Sequence, residues 1–228
     1  MKKHTCAIEF LTIFIVFVLP PLITPSAALI TPRKPVYPLQ TFLYAACMTA
    51  VLYAHKKQRA ISSNVPQKEA TPSRMPRIFI HIGSSLTAFG ALCLSAAVLQ
   101  LLAFLFHLPQ VTQVVLSPES VLQWINCILG TVCAAFFEEA VFRRYLPDTI
   151  KYLLPETRLK ETVCMLSEAL CIVLFALSHR AAGSLSVINA FVAGIILRVC
   201  TIQTGRIFSA WISHSVYNLL VLLISFSR

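Results

Sequence analysis

The sequence predicts an all-α, polytopic membrane helical bundle of about seven transmembrane helices. Three observations carry that prediction. Hydrophobic residues make up 57% of the 228-residue chain and charged residues 12%, with a mean hydropathy of +0.76. Soluble domains run at roughly 45–50% apolar and about 25% charged, and half the usual charge cannot cover a water-facing globule. The apolar residues gather into long runs, and a membrane helix needs ~20 mostly apolar residues. Period-two alternation is absent and the runs are too long for barrel strands. A soluble enzyme, a disordered chain and a small secreted scaffold are excluded on these grounds.

The runs cover residues 7–30, 38–54, 78–106, 121–145, 163–182, 185–203 and 207–226. The first follows Met1-Lys2-Lys3 and contains Ser26-Ala27-Ala28, which resembles a signal-peptide cleavage site. It is long for a signal's apolar region, so a retained helix bent at Pro20-Pro21 is expected. Residues 55–77 are polar, hold Pro66, Pro72 and Pro76, and read as a mobile cytoplasmic loop. Residues 145–160 mix charged, proline and apolar positions and read as interfacial. The chain divides into an N-terminal three-helix membrane region, 1–120, and a C-terminal core, 121–228, within one membrane domain.

The net charge is +10. The basic residues fall in short stretches between apolar runs, which is the pattern of membrane orientation rather than of nucleic-acid binding. An N-terminus inside places 15 of the 19 Lys and Arg residues on its own side and leaves Arg33, Lys34, Arg180 and Arg228 on the other. The eight cysteines form no C-x-x-C pair and read as small buried hydrophobes.

Ionisable residues inside apolar runs carry the functional signal, because each costs ~2.5–3.5 kcal/mol at a helix centre and usually faces a cavity or a partner. Glu138 and Glu139 follow sixteen mostly apolar residues, and Arg143 comes four positions after Glu139. On a helix Glu139 and Arg143 share a face and can pair, whereas Glu138 is turned ~100° away. That spacing suggests a division of labour: Glu139 is neutralised and Glu138 is left to work. Phe175 and His179 close a later run, and His214 and Asn218 share one face of the last. Each cluster alone has a plain structural reading: snorkelling charges, an interfacial histidine, an interhelical hydrogen bond. Together they supply a base and neutral hydrogen-bond donors suited to water activation and oxyanion stabilisation. The zinc motif H-E-x-x-H, a G-x-S-x-G turn and a Walker loop are absent, and Asp148 is the only aspartate, so no aspartyl dyad can form within the chain.

The order E-E-x-x-x-R, F-x-x-x-H, H-x-x-x-N resembles the CPBP family of intramembrane glutamic endopeptidases, named from CAAX proteases and bacteriocin-processing enzymes and also called Abi. The match is Glu138, Glu139 and Arg143, then Phe175 and His179, then His214 and Asn218, over roughly 121–226. The resemblance implies hydrolysis of peptide bonds by a glutamate-activated water, with no metal, no cofactor and no covalent acyl-enzyme. By position Glu138 is the general base, helped by His179. His214 and Asn218 form the oxyanion hole, and Glu139 and Arg143 support the site. The implied partners are a peptide or protein substrate, prenylated or bacteriocin-like, and the lipid bilayer, with no nucleic acid. The Lys2-Lys3 start and small size suggest a bacterial inner-membrane protein. One depth problem arises. A fifth helix that begins at Val163 carries His179 toward the outer face, away from Glu138 and His214. Hydration of Glu168 resolves it by letting that helix enter the apolar layer later, which leaves Arg180 facing the cavity. A non-catalytic scaffold or immunity protein and a proton-coupled transporter remain open as alternatives at this stage.

Overall fold

The structure, a computed structural model, describes residues 3–24, 38–62, 74–108, 117–154 and 160–226. These form seven helices and no strand: α1 (Lys3–Ile23), α2 (Pro38–Ser62), α3 (Arg74–Leu105), α4 (Val121–Leu153), α5 (Lys160–Ser178), α6 (Ser184–Thr204) and α7 (Phe208–Phe226). All but α2 are long and apolar enough to cross a membrane. In α2 the apolar run is diluted by Gln40, Thr41, Tyr44, Thr49, Tyr53 and His55. The protein is a multi-pass membrane protein, and the exposed Leu, Ile, Val and Phe side chains along the spans suit a lipid-facing surface.

Three local expectations change. The loop expected over 55–77 is helical at both ends, since α2 continues to Ser62 and α3 starts at Arg74; residues 63–73 lie outside the described residues. The irregularity in α1 is not at the prolines but one turn earlier, where Phe14–Val18 widens into a π-helical turn. Pro20 and Pro21 offer no N–H and crowd the carbonyls four residues back, and the wider turn relieves both defects. The Ser26-Ala27-Ala28 site lies outside the described residues. Of the eight cysteines, Cys6, Cys127, Cys171 and Cys200 are buried, while Cys47 is exposed, contrary to the buried reading.

α4 begins where Ser120 caps it. The Ser120 hydroxyl accepts from the Gln123 N–H at 3.3 Å, and the Gln123 amide oxygen accepts in return from the Glu119 N–H at 2.7 Å. The helix then packs against α2 and α7. α6 packs between α3 and α5, and α3 also lies along α7. The N-terminal helices therefore rest directly on the C-terminal ones. Two apolar clusters sit inside the bundle. One joins Ile13 and Val18 of α1, Met48 of α2, Val141, Phe142 and Tyr145 of α4, and Phe175 of α5. The other joins Ala88 and Leu92 of α3 to Leu197 and Cys200 of α6 and Ala210 and Tyr217 of α7. Where α1 and α2 meet, Glu9 of α1 is paired with His55 of α2 at 2.8 Å.

Candidate active site

α4 is regular to Glu139 and then opens into a second π-helical turn, Ala140–Tyr145, before continuing as Leu146–Leu153. Pro147 lies just past this turn, as Pro20 does in α1, and the physical cause is the same. The turn carries Arg143, and its leading edge carries both glutamates. Glu139 is fully buried and Arg143 nearly so, and they form the expected ion pair, Nε to Oε2, at 3.4 Å. The same guanidinium lies over the Phe175 ring, 3.9 Å from its centroid.

His214 of α7 completes the cluster. Its Nδ1 donates to Glu139 Oε1 at 2.9 Å, and its Nε2 faces Glu138 Oε2 at 3.6 Å. A single buried imidazole thus bridges the two adjacent carboxylates. Glu138 is the more open of the two, with about a quarter of its side chain exposed (26%). The two glutamates therefore differ in burial as well as in partner.

His179 follows the last residue of α5. Its Nδ1 lies 2.9 Å from the Phe175 carbonyl, which can only accept, so Nδ1–H is the donor in this contact. The Ser178 hydroxyl donates to the same carbonyl at 2.7 Å. The Phe175 ring lies between the two histidines, 4.8 Å from the His179 ring and 6.1 Å from the His214 ring. Glu138, Glu139, Arg143, Phe175, His179 and His214 thus form one continuous cluster from α4, α5 and α7. Asn218 is one turn further along α7. It is half-buried and makes no side-chain hydrogen bond among the described residues. Among those residues no group of three His, Cys, Asp or Glu side chains is arranged to hold a metal ion.

The turn after His179 is held in a way that sequence reasoning missed. Arg180 does not face the cavity. Its Nε and Nη2 donate to the Leu22 and Thr24 carbonyls at 2.6 and 2.9 Å, closing the C-terminal end of α1. Gly183 then leaves the turn at φ +96°, a conformation that only glycine adopts without strain, and lets α6 start at Ser184. Glu168, expected to be hydrated, is half-buried and bound by two cations, Lys151 of α4 and Arg198 of α6. Arg143 and Arg198 both counted toward membrane orientation in the sequence, yet both are partners inside the bundle. The signal that could have found Arg198 is its place deep in an apolar run, away from any loop.

The fold is a helical bundle that keeps two carboxylates and two histidines together among apolar spans. Residues 120–220 match the family model described as Type II CAAX prenyl endopeptidase Rce1-like. That segment, which carries every residue of the cluster, is therefore similar to the CAAX prenyl endopeptidases, a family of proteases. No curated protein and no solved structure matches the chain.

Proposed function

We propose that the protein hydrolyses a peptide bond of a membrane-associated substrate with a water held by Glu138. The observation that carries this reading is the His214 imidazole bridging Glu139, at 2.9 Å, and Glu138, at 3.6 Å. Glu138 is the partly open carboxylate of the pair and the one without a cation of its own, so it is free to take a proton from water. A neutral His179, with its lone pair on Nε2, is the second acceptor for that water. The hydroxide attacks the peptide carbonyl and the carbonyl electrons move to oxygen; when they return, the C–N bond breaks and the proton held by Glu138 passes to the leaving amine. His214, anchored by its Nδ1–H on Glu139, and the Asn218 amide form the pocket for the developing oxyanion. Glu139 and Arg143 fix the imidazole and neutralise each other.

The substrate of this reading is a prenylated or bacteriocin-like peptide in a bacterial inner membrane, reached from the cytoplasmic side. The 121–228 region carries the chemistry and the 1–120 helices buttress it. Comparison of membrane-proteome peptide termini between cells with wild-type and Glu138→Ala protein tests the whole reading. Termini that vanish in the variant identify the substrate. Identical termini remove the catalytic assignment and favour a binding role for the same cluster.

A further inference from the structure

Four residues after Arg143 stands Pro147. A proline has no N–H, so the ordinary α-helical donor to the Arg143 carbonyl does not exist. Around this gap the helix widens, and the Leu146 N–H reaches back five residues to the Val141 carbonyl. Arg198 of α6 crosses to the gap and donates its Nη1–H to the Arg143 carbonyl at 2.7 Å. Its Nη2 is paired with Glu168 of α5, and Glu168 is in turn paired with Lys151, two turns beyond Arg143 on α4. Arg198 belongs to the apolar span Ser184–Thr204, where a guanidinium is costly unless it is partnered. α6 thus reaches one backbone oxygen of the helix that carries both glutamates, and α5 braces the guanidinium that does so.

We infer that Arg198 is a positioning residue for the site. By donating to the carbonyl that Pro147 leaves without its helical donor, it holds the wide turn of α4 in the register that keeps Glu139 and Arg143 under His214, and Glu168 aims the guanidinium. This rests on the reading of Glu138 as the base, since what is positioned is that base and its supports.

The experiment is a double-mutant cycle on the purified full chain in detergent: wild type, Arg198→Met, Pro147→Ala and the double variant. Pro147→Ala returns an N–H to the position that can serve the Arg143 carbonyl. The thermal midpoint is one readout. Cleavage of a fluorogenic farnesylated CAAX peptide at limiting and saturating concentration is the other. Arg198→Met is expected to lower the midpoint and reduce kcat about tenfold, the order of one buried charge-assisted hydrogen bond, with KM within about twofold. Adding Pro147→Ala is expected to recover most of both losses. Non-coupling of the two substitutions in the midpoint overturns the inference, whether or not the peptide is cleaved. Recovery of the midpoint without recovery of kcat overturns the positioning role. Cleavage that persists in Glu138→Ala removes the proposed mechanism instead, and the midpoint cycle still decides the hydrogen bond.

Discussion

His214 Nδ1 lies 2.9 Å from Glu139 Oε1, so the last helix is tied to the carboxylate that α4 buries completely. The tie fixes which ring nitrogen points where. With Nδ1 occupied by Glu139, only Nε2 is available to Glu138 and to anything bound beside it. The imidazole therefore links a buried, ion-paired carboxylate to a partly open one, and the two glutamates have different surroundings despite being neighbours in sequence.

The first prediction concerns the open carboxylate. Glu138→Gln keeps the shape of the side chain and removes its ability to accept a proton, and general-base catalysis is worth roughly 10²–10⁴-fold. Peptidase activity of Glu138→Gln and Glu138→Ala is expected to fall by that order while the thermal midpoint in detergent stays near wild type. Activity within tenfold of wild type in either variant removes Glu138 as the base.

Glu139 should behave in the opposite way. Its carboxylate faces both Arg143 and His214, and all three side chains are buried. Removing one member leaves buried charge without compensation, which costs about 3–5 kcal/mol in protein interiors. Glu139→Ala is expected to unfold at a clearly lower temperature and to lose activity along with yield. Glu139→Gln, which keeps an acceptor for His214 Nδ1, should fall between. A Glu139→Ala protein as stable as wild type would show that the cluster is hydrated rather than dry.

Much of this arrangement was legible in the residue order, and the exceptions have physical reasons. The Glu139–Arg143 pair and the helix count follow from periodicity and run length, which are local. The His214–Glu139 contact joins positions 75 apart, and no local pattern encodes it; only the ordered set of motifs pointed to convergence. Pro147 signalled a break, but whether a helix answers a proline with a kink, an end or a wide turn depends on what packs beside it, here Arg198. Arg198 and Arg180 misled because a charge counted toward membrane orientation looks the same in sequence whether it meets water or a carbonyl. Arg143 O for one and Leu22 O and Thr24 O for the other are backbone atoms, to which side-chain identity gives no clue, and Glu168, the second partner of Arg198, lies 30 positions away.

Chelation provides a third test. The proposed chemistry rests on a carboxylate, two imidazoles and an amide, and His214 already commits Nδ1 to Glu139. Activity is expected to be unchanged after dialysis against EDTA and not to rise on addition of zinc. Loss on chelation with recovery by zinc would replace the glutamate mechanism with a metal-assisted one.

The last prediction uses a close helix contact beside the site. A Cβ built on Gly194 of α6 would stand 3.0 Å from Ile172 Cγ2 and 3.5 Å from Phe175 Cδ1 on α5. Phe175 is the ring that touches Arg143 and both histidines, and the absence of a side chain at 194 sets how closely α5 approaches α6 beside it. Gly194→Ala asks Ile172 to yield by a few tenths of an ångström, and alanine returns about 0.5–1 kcal/mol of helix propensity. That variant should keep its thermal midpoint within a few degrees and most of its activity. Gly194→Leu cannot be absorbed by a rotamer change. It must push α5 away, and overpacking costs about 1–3 kcal/mol in addition to moving Phe175. The expected result is a protein that still purifies as a monodisperse species but has lost most of its kcat, because His179 and Arg143 have lost the ring they share. Equal activity in the alanine and leucine variants would show that the α5–α6 spacing does not reach the site, and that Phe175 is held by α4 alone.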